Sequence, residues 1–77
     1  MSVWLVMQHS SEGDELLGVC EDEEKARAFG RSWLNGFDPE GSRGLYAEQL
    51  YVVPIEFGED LESEPLQERA TWRGIDG

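Results

Sequence analysis

Residues 3–9, VWLVMQH, carry apolar side chains on both faces of an extended chain. The run is rich in β-branched and aromatic types and reads as a strand. Val3, Leu5 and Met7 fall on one face, Trp4 and Val6 on the other, because strand side chains alternate. A strand apolar on both sides needs cover on both sides, which makes it central rather than an edge. The chain has 77 residues. A chain of that size buries only about 60% of the surface its unfolded form exposes, so it is expected to be one marginally stable domain. Hydrophobic residues make up 39%, and three Trp, three Phe and two Tyr raise the apolar area each buried side chain contributes.

The remaining elements are read outward from that strand. Ser10 to Asp14 has the chemistry of a hairpin turn, and residues 15–20, ELLGVC, form a shorter returning strand weakened by Gly18. A helix is expected from about Asp22 to Asn35. Asp22 is its N-cap, and Glu23 and Glu24 sit where the helix dipole favours negative charge. Ala26, Phe29, Gly30 and Trp33 recur at three-and-four spacing and define its buried stripe, with Gly30 permitting close approach to the sheet and Gly36 supplying the stop. Glu23 and Arg27 are placed to pair on the wet side. Residues 37–44 read as a loop and 45–53, LYAEQLYVV, as the third strand, ended by Pro54.

These elements give an α+β domain over residues 1–55 with topology β-β-α-β. The crossover helix makes the third strand parallel to the second and antiparallel to the first, and the right-handed crossover rule gives strand order 2-1-3. One helix covers one face of a three-stranded sheet. The other face, assigned to Trp4, Val6, Tyr51 and Val53 depending on register, must meet the tail, a second copy or a target. Residues 56–77 are acidic and broken by Gly and Pro. They are either a disordered appendage or a strap whose Leu61, Leu66, Trp72 and Ile75 cover the open face, with a short helix near 64–71 and Pro65 in its first turn.

Chemical machinery is sparse. His9 and Cys20 are single, and the proposed hairpin puts them on neighbouring strands at opposite ends, away from dyad geometry. Transition-metal binding needs more nitrogen and sulfur ligands than these, and Glu59-Asp60-Leu61-Glu62 lacks calcium-loop spacing. No dinucleotide fingerprint or phosphate loop occurs. The expectation is a protein without catalytic, metal or cofactor residues. No apolar run is long enough to span a bilayer, and the start lacks the pattern of a secretory signal, so a cytoplasmic location is the default.

Charge is the sharper signal. Lys and Arg total 6 against 17 Asp and Glu, a net charge of −11. Direct contact with nucleic acid or an anionic membrane is disfavoured by sign. The acids cluster from Glu12 to Glu24 and from Glu56 to Glu68. Acidity of this kind keeps small proteins soluble. It also forms a surface complementary to a basic groove, and eleven charges match roughly 19 Å of duplex axis, so mimicry of DNA is physically feasible. Glu21, Asp22, Glu23 and Glu24, with Glu59, Asp60 and Glu62, are the candidate partner-binding acids.

Val3-Trp4-Leu5-Val6, then Leu17-Gly18-Val19-Cys20 and Glu21-Asp22-Glu23-Glu24-Lys25-Ala26, resembles a loose family of small bacterial and phage proteins. The family pattern is an apolar opening strand, a strand ending in Gly-Val-Tyr-like text and a helix beginning Ser-x-Glu-Lys-Ala. Cys20 stands where the aromatic is usual, and the tail has no counterpart in that pattern. The resemblance covers about the first 55 residues and implies the β-β-α-β fold without any activity. In size and charge the chain is also similar to phage inhibitors of bacterial defence systems, the anti-CRISPR and anti-restriction proteins. The expected function is therefore a non-catalytic acidic protein that binds a basic host protein, one that handles nucleic acid. The alternative is a homodimeric structural or adaptor module whose acidity serves solubility.

Overall fold

A computed structural model describes residues 2–37, 49–58 and 66–74. Strand β1 is Ser2–Ser10, β2 Gly13–Cys20, helix α1 Glu23–Phe37, β3 Leu50–Glu56 and β4 Trp72–Arg73, with a 3-10 turn at Leu66–Arg69 before β4. The sheet order is β2-β1-β3-β4, and every neighbouring pair is antiparallel. The expected order 2-1-3 is present, but the sheet has four strands rather than three. The fourth, two residues long, is too short for alternation to announce it in sequence.

The β1–β2 hairpin closes through Ser11 and Glu12, with Ser10 paired to Gly13. Gly13 sits at φ 124°, a conformation that glycine reaches without steric cost. The Ser10 hydroxyl donates to the Gly13 carbonyl at 2.8 Å and accepts from the Glu12 amide at 3.3 Å. Midway, Val6 pairs with Gly18 but Met7 pairs with Leu16, so Leu17 is an extra residue and forms a bulge. The slip matters for packing. It puts Leu16 and Val19 on the same face as Met7 and Leu5, while Leu17 packs on the helix side.

Helix α1 starts where the sequence predicts. The Asp22 carboxylate accepts from the Lys25 amide at 2.8 Å, the contact of an N-cap with the third helical residue. Ala26 and Gly30 are buried and Trp33 and Leu34 half-buried. A β-carbon on Gly30 would lie 2.9 Å from Trp72 Cζ3 and 3.2 Å from Leu50 Cδ2, so the close approach expected there is real, with the tail's tryptophan as its object. Phe29 lays its ring over Gly18, within 2.8 Å of where a β-carbon would be. Gly36 does not end the helix, which runs on to Phe37.

The sheet separates two cores. On the helix side Val6, Ala26, Leu50, Val52 and Trp72 are buried, with Trp4, Leu17, Cys20, Trp33 and Leu34 packed around them. On the other side Met7, Tyr51, Val53 and Ile55 are buried, flanked by Val3, Leu5, Leu66 and Ala70. Val6, Leu50, Tyr51, Val52 and Val53 are fully enclosed, and burial of each such side chain contributes about 1.5–3 kcal/mol before entropy. Trp4, Val6, Tyr51 and Val53 therefore do not share one face. Trp4 and Val6 lie under the helix, and Tyr51 and Val53 lie opposite, because β3 aligns Val52 with Val6 and Val53 with Leu5.

Pro54 sits inside β3, paired with Trp4, rather than ending the strand. The Val52 carbonyl accepts from the Thr71 amide at 3.0 Å, so residues of this parity direct their backbone groups away from β1. Pro54, two residues on, thus has its missing N–H on the outer edge, beyond the reach of β4. Residues 45–48 of the expected strand lie outside the described residues.

The tail takes the strap form over residues 66–74. Leu66 and Ala70 pack on the second core and Trp72 on the first, so the segment passes round the sheet edge instead of covering one face. Leu61 and Ile75 lie outside the described residues.

Candidate protein-binding surface

Three of the four candidate acids at the start of α1 have partners within the chain. Asp22 caps the helix. Glu21 pairs with Lys25. Glu23 pairs with Arg27 at 3.1 Å and accepts from the Thr71 hydroxyl at 2.8 Å, tying the helix to the strap. The Glu24 carboxylate has no partner among the described residues. Glu59, Asp60 and Glu62 lie outside the described residues. The register brings Glu56 to the same end of the sheet as the β2–α1 junction, since Ser2 pairs with Glu56 and Trp4 with Cys20.

The cations among the described residues have partners within the chain. Lys25 and Arg27 are in the ion pairs above. Arg31 stands 5.8 Å from the Trp72 ring centre and Arg73 6.0 Å from that of Tyr51, both cation–π distances. Arg73 also donates to the Gln67 carbonyl at 2.9 Å, and Arg69 to the Pro54 carbonyl at 3.3 Å. Every Lys and Arg among the described residues is thus engaged within the chain. The Glu12, Glu15, Glu24 and Glu68 carboxylates have no such partner there.

A polar cluster that the sequence reading missed joins five elements on the second face. His9 Nδ1 lies 2.7 Å from Asp14 Oδ1, and the Tyr51 hydroxyl donates to Asp14 Oδ2. The Gln67 amide lies 2.9 Å from the same His9 nitrogen and also bonds Asp14. Arg73 stands over the Tyr51 ring. An ionised carboxylate only accepts, so the His9–Asp14 bond needs a proton on Nδ1. Partial burial pushes the Asp14 carboxyl up. The hydrogen bonds from Tyr51 and His9, the His9 charge and the bond from Gln67 outweigh it and hold the group below its ordinary value. Burial, then the Asp14 hydrogen bond and charge, push the Tyr51 phenol well above its ordinary value, against a smaller lowering by Arg73. The His9–Asp14 half was readable from the two-residue turn, which sets Ser10 opposite Gly13 and hence His9 opposite Asp14. The Tyr51 half needed the β1–β3 register.

His9 and Cys20 lie at opposite ends of the hairpin, against Asp14 and Trp4 respectively. Among the described residues no group of three or more His, Cys, Asp or Glu is arranged to hold a metal ion.

Apolar surface remains on the second face. Leu16 is 52% exposed and Val19 56%, beside half-buried Leu5 and Val3. The covering residues Leu66 and Ala70 belong to the strap, whose 3-10 turn packs against β3. Phe57, just past β3, is 66% exposed. No helix among the described residues is long and apolar enough to cross a membrane. In comparison with known proteins, the chain matches no family model, no curated protein and no solved structure.

Proposed function

We propose that the chain is a non-catalytic, acidic binding protein that docks on a basic protein partner. The observation that carries the reading is the asymmetric use of charge. Lys25, Arg27, Arg31, Arg69 and Arg73 are all committed to contacts inside the chain, while Glu12, Glu15, Glu24 and Glu68 are left to the solvent. With the cations of the described residues engaged in this way, the chain's net charge of −11 steers association toward positive partners and away from nucleic acid itself. Basic grooves that hold nucleic acid are the natural complement, so the partner class is a nucleic-acid-handling protein and the action is competitive inhibition of its groove.

The test is capture of partners from host lysate on the immobilised chain at low and high salt. Capture of basic proteins that falls steeply with salt, and falls again for Glu12→Lys/Glu15→Lys/Glu24→Lys, is expected. Capture indifferent to both would overturn the electrostatic reading. Asp22 is excluded from the reversal set because its loss would uncap the helix.

A second reading, a homodimeric module whose acidity serves solubility, is favoured by the exposure of Leu16 and Val19 on one face. It expects a dimer in sedimentation that Leu16→Ser/Val19→Ser dissolves.

A further inference from the structure

We propose that the outer edge of β2, with the apolar half-face beside it, takes an extended cationic segment of a partner protein as an added strand. This rests on the reading of the chain as a binder of basic proteins and assigns it a surface.

The two edges of the sheet are unequal. Beyond the short β4, the β3 edge has Pro54, which offers no donor, and its carbonyl is taken by Arg69. Such devices stop a foreign strand from pairing. The β2 edge has no such proline, although it carries the Leu17 bulge. Over its eight residues, Gly13–Cys20, there is no Pro, Lys or Arg, and no described residue pairs with its outer side. An unpaired edge supplies main-chain hydrogen bonds for strand addition, and alternate side chains set the choice of partner.

The side chains beside that edge specify the occupant. Leu16 and Val19 are more than half exposed on the second face, next to Leu5 and Met7, while the strap packs on the β3 side and reaches the hairpin end through Gln67. On the helix face Glu15 pairs across from Gln8, and Glu12 and Asp14 lie at the hairpin end. The first 24 residues, which include the whole hairpin, contain no Lys or Arg. An added strand would set apolar side chains beside Leu16 and Val19 and alternate side chains beside Glu15, so the matching sequence alternates apolar and cationic residues. A second copy is the wrong chemistry. It would bring another eleven net negative charges, and like charges set opposite one another destabilise strand pairing.

The experiment uses the whole chain, isotope-labelled, titrated with a blocked synthetic peptide of alternating Lys and Val as long as β2. The matched Glu/Val peptide and a Lys/Val peptide N-methylated at alternate residues serve as controls. Expected are amide shifts concentrated in Gly13–Cys20, no binding of either control, and affinity falling about tenfold from low to high salt. Leu16→Ser/Val19→Ser, at two exposed positions, should weaken the peptide about tenfold while leaving the amide spectrum elsewhere unchanged. Shifts confined to the β2–α1 junction would overturn the strand-addition proposal and leave the basic-partner reading standing. Equal binding of the N-methylated peptide, or absence of binding, would overturn it as well. A dimer in sedimentation that the same double substitution dissolves would make a second copy the occupant and end the proposal.

Discussion

The indole of Trp72 rests on Gly30, so closely that a β-carbon there would meet Cζ3 at 2.9 Å. Two opposing effects meet at this position. Replacing glycine by alanine in a helix interior gains about 1 kcal/mol of propensity, whereas forcing a methyl into a filled core costs about 1–3 kcal/mol. The rigid neighbours, an indole and Leu50, make the second effect the larger. Gly30→Ala is expected to lower the unfolding free energy by a net of about 1 kcal/mol, read as a lower urea midpoint at unchanged slope. In a Trp72→Leu background the same change should cost less, and a double-mutant cycle reads the difference. Equal costs in both backgrounds would show that the ring does not police this position.

Asp14 provides a pH test. Its folded carboxyl lies below the ordinary value, so it binds fewer protons than the unfolded chain through the acid range. By linkage, its stabilisation is fully present above the unfolded carboxylate pKa and is lost as pH falls through the depressed folded value. Unfolding free energy should therefore decline below about pH 4, and Asp14→Asn should flatten that acid limb. Tyr51→Phe removes the first of the lowering hydrogen bonds, so the Asp14 carboxyl followed by NMR should titrate higher. An unchanged titration would mean the Tyr51–Asp14 bond does not persist in solution.

The N-cap makes a separate prediction. Asp22→Ala leaves the Lys25 amide without its partner at 2.8 Å and should cost about 1 kcal/mol, with a loss of helical circular dichroism on warming. Asp22→Asn keeps an acceptor and should recover most of it. An alanine variant as stable as the parent would remove Asp22 from the cap.

The guarded edge can be opened. Pro54→Val restores an N–H on the outer side of β3, and Arg69→Ala frees the Pro54 carbonyl there. Together they should leave the monomer folded but raise concentration-dependent association in light scattering. If association matched the parent, the edge would owe its silence to something other than these two residues.

The parts legible in sequence were those with local causes. β1 declared itself central by apolar residues of both parities, Asp22 by its place before an apolar stripe, and Gly30 by lying on that stripe. What escaped depends on alignment between distant segments. Trp4 and Tyr51 look equivalent as apolar strand residues, and only the pairing of Val6 with Val52 sends them to opposite faces. The Leu17 bulge reassigns Val19 from the helix side to the other face, and neither Leu17 nor Gly18 announces a bulge by type. Pro54 reads as a terminator because a proline's tolerance in a strand depends on which edge is free. Among the candidate acids, the Asp22 cap and the Glu23–Arg27 pair follow from helix spacing, whereas the bond from Thr71 to Glu23 needed the path of the strap.

The strap's path has a consequence for how the fold opens. Leu66 and Ala70 belong to one core and Trp72 to the other, while the Thr71 amide between them is bonded to Val52 in the middle of β3. Detaching this segment removes side chains from both cores at once, so neither can loosen alone. The two should behave as a single cooperative unit, and the Thr71 amide should exchange its hydrogen at the rate set by global unfolding. A segment beside a sheet edge would ordinarily fray early; here it is expected to be among the last to let go.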